Sequence, residues 1–227
     1  MSKKKGCKKK AAKVRILIVD DHPIVREGVK RLLERQADME VCGEAESAPE
    51  ALRVIESAKP DVAIVDIVLK ESSGLDLIKD IRHYHPEVKV LALSMRDPNV
   101  YAERAIRAGA RAYLRKERGA RTVVEAVRRV LAGEVYLDAA ISQRILARLA
   151  GISTEAGEKS VSSLTDRELE ILRLIGQGLS TREIAGKLHR SVKTVETHRE
   201  NMKEKLKLDT ARDLLQYAIE WSKSPPA

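Results

Sequence analysis

Two hydrophobic patterns alternate along residues 14–133. Short apolar runs rich in β-branched side chains occupy 14–20, 39–44, 62–67, 88–94 and 112–114, and read as strands. Between them apolar positions recur at helical spacing: Ile24, Val25, Val29, Leu32 and Leu33; Ala51, Leu52 and Ile55; Leu75, Leu77, Ile78 and Ile81; Ala102, Ala105 and Ile106; Val123, Val127 and Leu131. Strands this uniformly apolar, joined by crossovers of helix length, predict an α/β domain whose parallel sheet is covered on both faces. The economical arrangement is a flavodoxin-like, doubly wound five-stranded sheet in the order 2-1-3-4-5.

The alternation loosens after Gly133. One helix is predicted over 139–149, and the stretch GISTEAGEKSVSS at 151–163 is polar and small, as linkers are. Beyond it the chain turns wholly helical. Thr165 and Glu168 have the spacing of a capping box, stapled by Leu164 and Leu169; Ser180 and Glu183 repeat the device with Leu179 and Ile184. Ser191 is a third N-cap, for a helix running to about Leu206 whose spacing buries Val192, Val195, Met202 and Leu206, and Asp209 or Thr210 opens a fourth ending near Trp221. The expected organisation is a tail at 1–13, the α/β domain at 14–133, a linker with one helix at 134–160, and an all-α four-helix domain at 161–227.

Open parallel sheets bind ligands outside the carboxyl ends of their strands, and polar residues collect there. Strand one ends in Asp20 and Asp21, strand three in Asp66, strand four in Ser94, and strand five runs on to Lys116. Singly each has an ordinary explanation: Asp21 and His22 before Pro23 could start a helix, Asp66 could serve a turn, and Lys116 could be solvated. Together at one sheet end they make an acidic pocket. Three mutually repelling carboxylates favour a hard divalent cation, and Mg2+ suits carboxylate and water ligands. With the charge so offset, the Asp66 carboxylate can attack phosphorus and form an acyl phosphate. Lys116 would offer a point charge to the phosphoryl oxygens, and Ser94 a hydroxyl donor.

Net charge changes the picture only by its location. Of the +9, the lysine-rich residues 1–13 supply +7, a segment that reads as a solvated, disordered arm. Within the helical domain, residues 182–207 hold eight basic and four acidic side chains, adequate for phosphate contacts. The two cysteines, Cys7 and Cys42, lack the spacing of a zinc site. No apolar run approaches the roughly 18 residues of a membrane helix, nor does a signal-peptide core follow the basic start. A soluble, cytoplasmic protein is expected.

The segments ILIVDDHPIVREGV, VAIVDIVLKESSGLDL, VLALSM and AGARAYLRK resemble the receiver domain of two-component response regulators of the NarL/FixJ type. The resemblance implies that Asp66 is the phosphorylated aspartate and that Asp20, Asp21, Asp66 and the Val68 carbonyl hold Mg2+. It also makes Ser94 and Tyr113 the switch pair, acting with Lys116. Glu117 departs from the proline that many receivers carry after this lysine. Residues 164–208 resemble the LuxR-type helix-turn-helix of the same family. By motif position Lys193, Thr194, Arg199 and Lys203 would bind DNA phosphates, while Glu196, Thr197 and Glu200 approach base edges. His189-Arg190 departs from the small and apolar residues usual in this turn. The last helix, within 209–221, looks like the family's homodimerisation element, although its apolar stripe could equally be domain core.

The expected function is thus a DNA-binding transcription regulator, not an enzyme, that a histidine kinase phosphorylates and that then favours a dimer on its operator. Two alternatives stay open. A phosphatase or phosphotransferase would use Asp66 as a turnover nucleophile, but haloacid-dehalogenase-like enzymes carry a second aspartate two positions on as acid/base, where Val68 stands here. A regulator whose second domain binds DNA or a protein constitutively would keep the pocket without depending on it.

Overall fold

The computed structural model describes residues 12–69, 72–117, 120–152 and 161–223. Most of the basic tail and the middle of the linker lie outside the described residues. The chain divides into two compact units: residues up to Met95 with Ala105–Leu137, and Arg96–Arg104 with the residues from Asp138 onward.

In the first unit β1 (Val14–Val19), β2 (Met39–Ala45), β3 (Val62–Val65), β4 (Lys89–Ser94) and β5 (Ala112–Arg115) form one parallel sheet in the order β2-β1-β3-β4-β5, as the strand pattern predicts. The crossovers are α1 (Pro23–Glu34), α2 (Ala48–Ala58), α3 (Gly74–Tyr84) and α4 (Pro98–Ala108), whose first turns are grouped with the second unit, with α5 (Ala120–Leu131) following β5. Ile16, Ile18, Ile64, Leu91 and Leu114 pack with Val29 and Leu33 of α1 and with Val123, Val127 and Val130 of α5 in one buried cluster. Alternate strand residues, Leu17, Ala63, Val65 and Ala92, are buried as well, so both faces of the sheet are covered. That is why these strands read as continuous apolar runs rather than alternating ones.

The strand ends are set by polar groups. β3 stops at Val65, short of the expected 67, and the Asp66 N–H still donates to the Val19 carbonyl at 2.8 Å. The chain then turns away through an isolated bridge between Val68 and Ser73. Pro23 opens α1 at its first turn, behind His22, whose own side chain makes no cap hydrogen bond.

The second unit contains α6 (Ala139–Leu149), a 3₁₀ turn (Val161–Ser163), α7 (Asp166–Gly176), α8 (Thr181–Lys187), α9 (Val192–Leu206) and α10 (Ala211–Lys223). Both expected capping boxes are present, and Ser191 accepts from the Thr194 N–H. The core gathers Leu164, Ile171, Leu172, Ile175, Ile184, Val195, Met202, Leu206, Leu214 and Ala218. Val192 corrects the sequence reading: expected inside, it is 39% exposed. It is the first residue of α9, and the core closes only over Val195.

Glu168 ties this core to a charge. It is buried, its carboxylate accepts from the Thr165 N–H at 2.7 Å, and Lys205 Nζ on α9 lies 2.7 and 2.9 Å from its two oxygens. Burial alone would raise its pKa, but the hydrogen bonds from Lys205 and Thr165 outweigh that and hold the carboxyl below the ordinary glutamate value of 4.5. A depressed carboxyl contributes stability that is full above the ordinary value and is lost as pH falls through the folded-state value. Replacing Glu168 by Gln should therefore destabilise this unit near neutral pH by about 2 kcal/mol, the scale of a hydrogen bond to a charged group. The deficit should shrink as the pH drops below the carboxylate range. Thermal unfolding followed through Trp221, the sole tryptophan, reads it; a deficit independent of pH would refute the assignment.

Candidate functional site

The residues expected at the sheet's carboxyl end meet there. Lys116 Nζ lies 2.6 Å from Asp20 Oδ2 and 2.6 Å from Asp66 Oδ2, and all three side chains are buried. Asp66 Oδ1 accepts from the Val68 N–H at 3.1 Å, and the Lys116 N–H donates to the Ser94 carbonyl at 2.9 Å, tying β5 to β4 beside the pocket. Ser94 is fully buried at the end of β4, and Tyr113 is buried within β5.

His22 is a member that sequence reasoning passed over as part of a helix start. Its Nδ1 lies 2.7 Å from Asp21 Oδ1 and 3.2 Å from Asp20 Oδ1. Donor atoms from Asp20, Asp21, His22 and Asp66 all fall within 4.8 Å of one another. The Asp21 Oδ1 atom is buried without a hydrogen bond of acceptable geometry. Three carboxylates against one ammonium leave an excess of two negative charges, which a divalent cation would balance. The residues present therefore fit such an ion.

Burial pushes the Asp66 carboxyl above its ordinary value, against the pull of Lys116 and the Val68 N–H. For Lys116 burial works toward a lower pKa, but the facing Asp66 and Asp20 carboxylates prevail and raise it, so the ammonium stays charged. A bound divalent ion would favour the ionised, nucleophilic form of Asp66.

Gly74 is a second residue the sequence did not flag. It is the first residue of α3, and a Cβ there would lie 1.9 Å from the Asp66 carbonyl oxygen and 2.7 Å from the Ile67 Cα. Its N–H donates to the Ile67 carbonyl at 2.9 Å. Asp66 and Ile67 can lie this close to the start of α3 only because the helix begins with a residue lacking a side chain.

In the second unit α8 and α9 are joined through His189, whose positive φ of 49° lies in the left-handed region that non-glycine residues seldom adopt. On α9 Lys193, Glu196, Thr197 and Glu200 are exposed. The other expected contacts are already engaged within the unit: Thr194 Oγ1 lies 2.8 Å from Ser191 Oγ, Arg199 donates to Thr181 Oγ1 at 3.4 Å, and Lys203 pairs with Glu200 at 2.8 Å. On α10 Leu214 and Ala218 are core, leaving Leu215 as the exposed apolar residue of the stripe and Ile219 half-buried.

This is the architecture of a receiver joined to a helix-turn-helix unit. Residues 16–128 match the family model of the response regulator receiver domain, and residues 162–218 that of the bacterial regulatory proteins of the luxR family. The transcriptional regulatory protein DegU of Brevibacillus brevis is 34% identical over 210 residues, covering 87% of this chain and 89% of its own. The oxygen regulatory protein NreC of Staphylococcus epidermidis is 37% identical over 212 residues, covering 91% and 97%. Among solved structures, RcsB of Salmonella typhimurium matches with a TM-score of 0.72 at 25% identity, over 92% of this chain and 98% of that one. The chain belongs to the NarL/FixJ family of response regulators, DNA-binding transcription regulators rather than enzymes.

The Gly74 geometry makes a sharp prediction. Gly74→Ala drives a methyl group into main-chain atoms that cannot rotate away, and should destabilise the receiver by at least about 3 kcal/mol, the upper end for overpacking. Urea unfolding of the full chain measures it; unchanged stability would contradict the close approach.

Proposed function

We propose that Asp66 accepts a phosphoryl group in a Mg2+-dependent reaction, and that a histidine kinase is the physiological donor. The observation carrying this reading is the cluster of Asp20, Asp21, Asp66 and Lys116 at the carboxyl end of the sheet, with the Asp20, Asp66 and Lys116 side chains buried. Mg2+, held by Asp20, Asp21, Asp66 and the Val68 carbonyl, would offset negative charge on the incoming group. One Asp66 carboxylate oxygen attacks phosphorus, the bond from phosphorus to the donor's leaving atom breaks, and the leaving group keeps the electron pair. Lys116 holds a charge against the phosphoryl oxygens, and Ser94 donates its hydroxyl. Because phosphate can shift an equilibrium only through contacts better made in one state, Ser94, Tyr113 and Lys116 are the groups through which the receiver registers it. With Val68 where a phosphatase would need its acid, the acyl phosphate is held rather than turned over.

The second half of the proposal is DNA binding by α9 in the major groove. Lys193, Thr194, Arg199 and Lys203 face phosphates; Glu196, Thr197 and Glu200 face base edges. The pairing of Lys203 with Glu200, and of Arg199 with Thr181, means that these two cations must give up an internal partner to reach DNA. Supporting this half, a related RcsB structure from Salmonella enterica serovar Typhimurium, 26% identical over 91% of this chain and 98% of that one with a TM-score of 0.69, is bound to the promoter P1flhDC with the phosphomimetic BeF3-. A homodimer on DNA formed through residues 209–221, with Leu215 at its surface, completes the reading. The site of action is the cytoplasm; among the described residues no helix is long and apolar enough to cross a membrane.

Asp66→Asn should abolish labelling by acetyl phosphate and remove the gain in operator affinity that beryllofluoride produces in the unaltered chain. Undiminished labelling of the variant would refute the acceptor assignment. Equal operator binding with and without beryllofluoride would mark a constitutive regulator instead. Lys193→Ala should weaken binding to all duplexes alike and lower the slope of log affinity against log salt by about 1. Fluorescence anisotropy over a salt series reads the slope, and an unchanged slope would remove Lys193 from the phosphate contacts.

A further inference from the structure

Arg26 is the buried cation that the acceptor chemistry leaves unused. It lies in the first turns of α1, its side chain is 11% exposed, and it reaches back to the turn that carries the acidic pair. Nη1 donates to the Asp20 main-chain carbonyl at 2.6 Å, and Nη2 donates to Glu46 Oε1 at 2.5 Å. Nε, buried without a hydrogen bond, has Glu44 Oε2 3.5 Å away, and the other Glu44 oxygen accepts from Lys30 at 2.8 Å. The guanidinium is therefore held between two carboxylates at the end of β2 while one arm grips the Asp20–Asp21 peptide.

We propose that Arg26 is a positioning residue for the divalent-metal pocket, fixing the Asp20–Asp21 turn through the Asp20 carbonyl. The proposal rests on the acceptor-site reading given above. Asp20 is pinned on both sides of its Cα: its N–H donates to the Ala45 carbonyl at 3.1 Å, and its carbonyl accepts from Arg26. With the main chain so held, the Asp20 side chain has a fixed origin from which to meet Lys116, and the Asp21 side chain leaves the same clamped peptide. Three carboxylates confined to one small volume repel one another, and the Asp20–Asp21 turn would relax outward if its carbonyl were released. A lysine keeps the charge but not the planar fork that spans carbonyl and carboxylate at once. Partners that orient metal ligands govern affinity without touching the ion.

The test measures Mn2+ binding, as a stand-in for Mg2+, by electron paramagnetic resonance of free Mn2+ in the full chain, with Mg2+ competition and a parallel melting curve. Arg26→Met should weaken Mn2+ binding about tenfold, the scale of lost ligand-orienting contacts. Arg26→Lys should fall short of restoring it. Arg31→Met breaks an ion pair with Glu27 on the same helix without touching Asp20 or either carboxylate that holds Arg26, and should leave the affinity unchanged. Labelling of Arg26→Met by acetyl phosphate should recover as the metal is raised to saturation, which loss of fold would not allow. Equal Mn2+ affinity in Arg26→Met and the unaltered chain would overturn the proposal. Should Arg26→Met fail to fold, Arg26→Lys decides alone: weaker binding supports the proposal and equal binding overturns it. Absence of Mn2+ binding in the unaltered chain would instead overturn the pocket reading, and this inference with it.

Discussion

The constraint on which the receiver depends is the confinement of three carboxylates and one ammonium at the end of a buried parallel sheet. Lys116 contacts Asp20 and Asp66 at 2.6 Å each. Taking such charges out of water costs several kcal/mol per ion, and one ammonium cannot offset three carboxylates. The surroundings accordingly hold each group in place: the Val68 N–H on Asp66, the Ser94 carbonyl on the Lys116 main chain, and Arg26 on the Asp20 carbonyl. The pocket thus keeps an excess of negative charge, stable only in a rigid frame and suited to a divalent ion. The apolar strands provide that frame.

The helical unit uses the same physics on a smaller scale. Glu168 caps α7 and reaches Lys205 on α9, so a single buried carboxylate joins the start of one helix to the end of the helix that carries the proposed DNA contacts. α9 is poor in apolar residues and depends on Val195, Met202 and Leu206 to hold it to the core. The exposed face is left for charge and hydrogen bonding. Its acidic residues, Glu196 and Glu200, suit selective contact with bases more than general affinity for phosphate.

Much of this was legible in the sequence because the signals are local. Buried parallel strands are apolar without interruption, and Asp20, Asp21, Asp66 and Lys116 stand where such runs end. Capping boxes announce themselves three residues apart, and those at Thr165 and Ser180 are found as expected. What escaped was non-local. Nothing near Gly74 in the chain says that Asp66 lies against it, nor does the helical spacing of α1 say that Arg26 folds back onto Asp20 while gripping Glu46, 20 residues away. Val192 misled for the opposite reason: its spacing fits the buried stripe, but the core stops short of the helix's first turn. His22 was masked by its place before Pro23, where helix initiation explains it sufficiently.

The central claim is that this pocket places a phosphoryl group on one carboxylate and on no other. The most direct measurement is to treat the full chain with acetyl phosphate and Mg2+, trap the acyl phosphate by borohydride reduction, and locate the reduced residue by peptide mass spectrometry. The account predicts modification at Asp66 alone, lost when Mg2+ is chelated. Modification at Asp20, Asp21 or a histidine, or labelling indifferent to the metal, would contradict it.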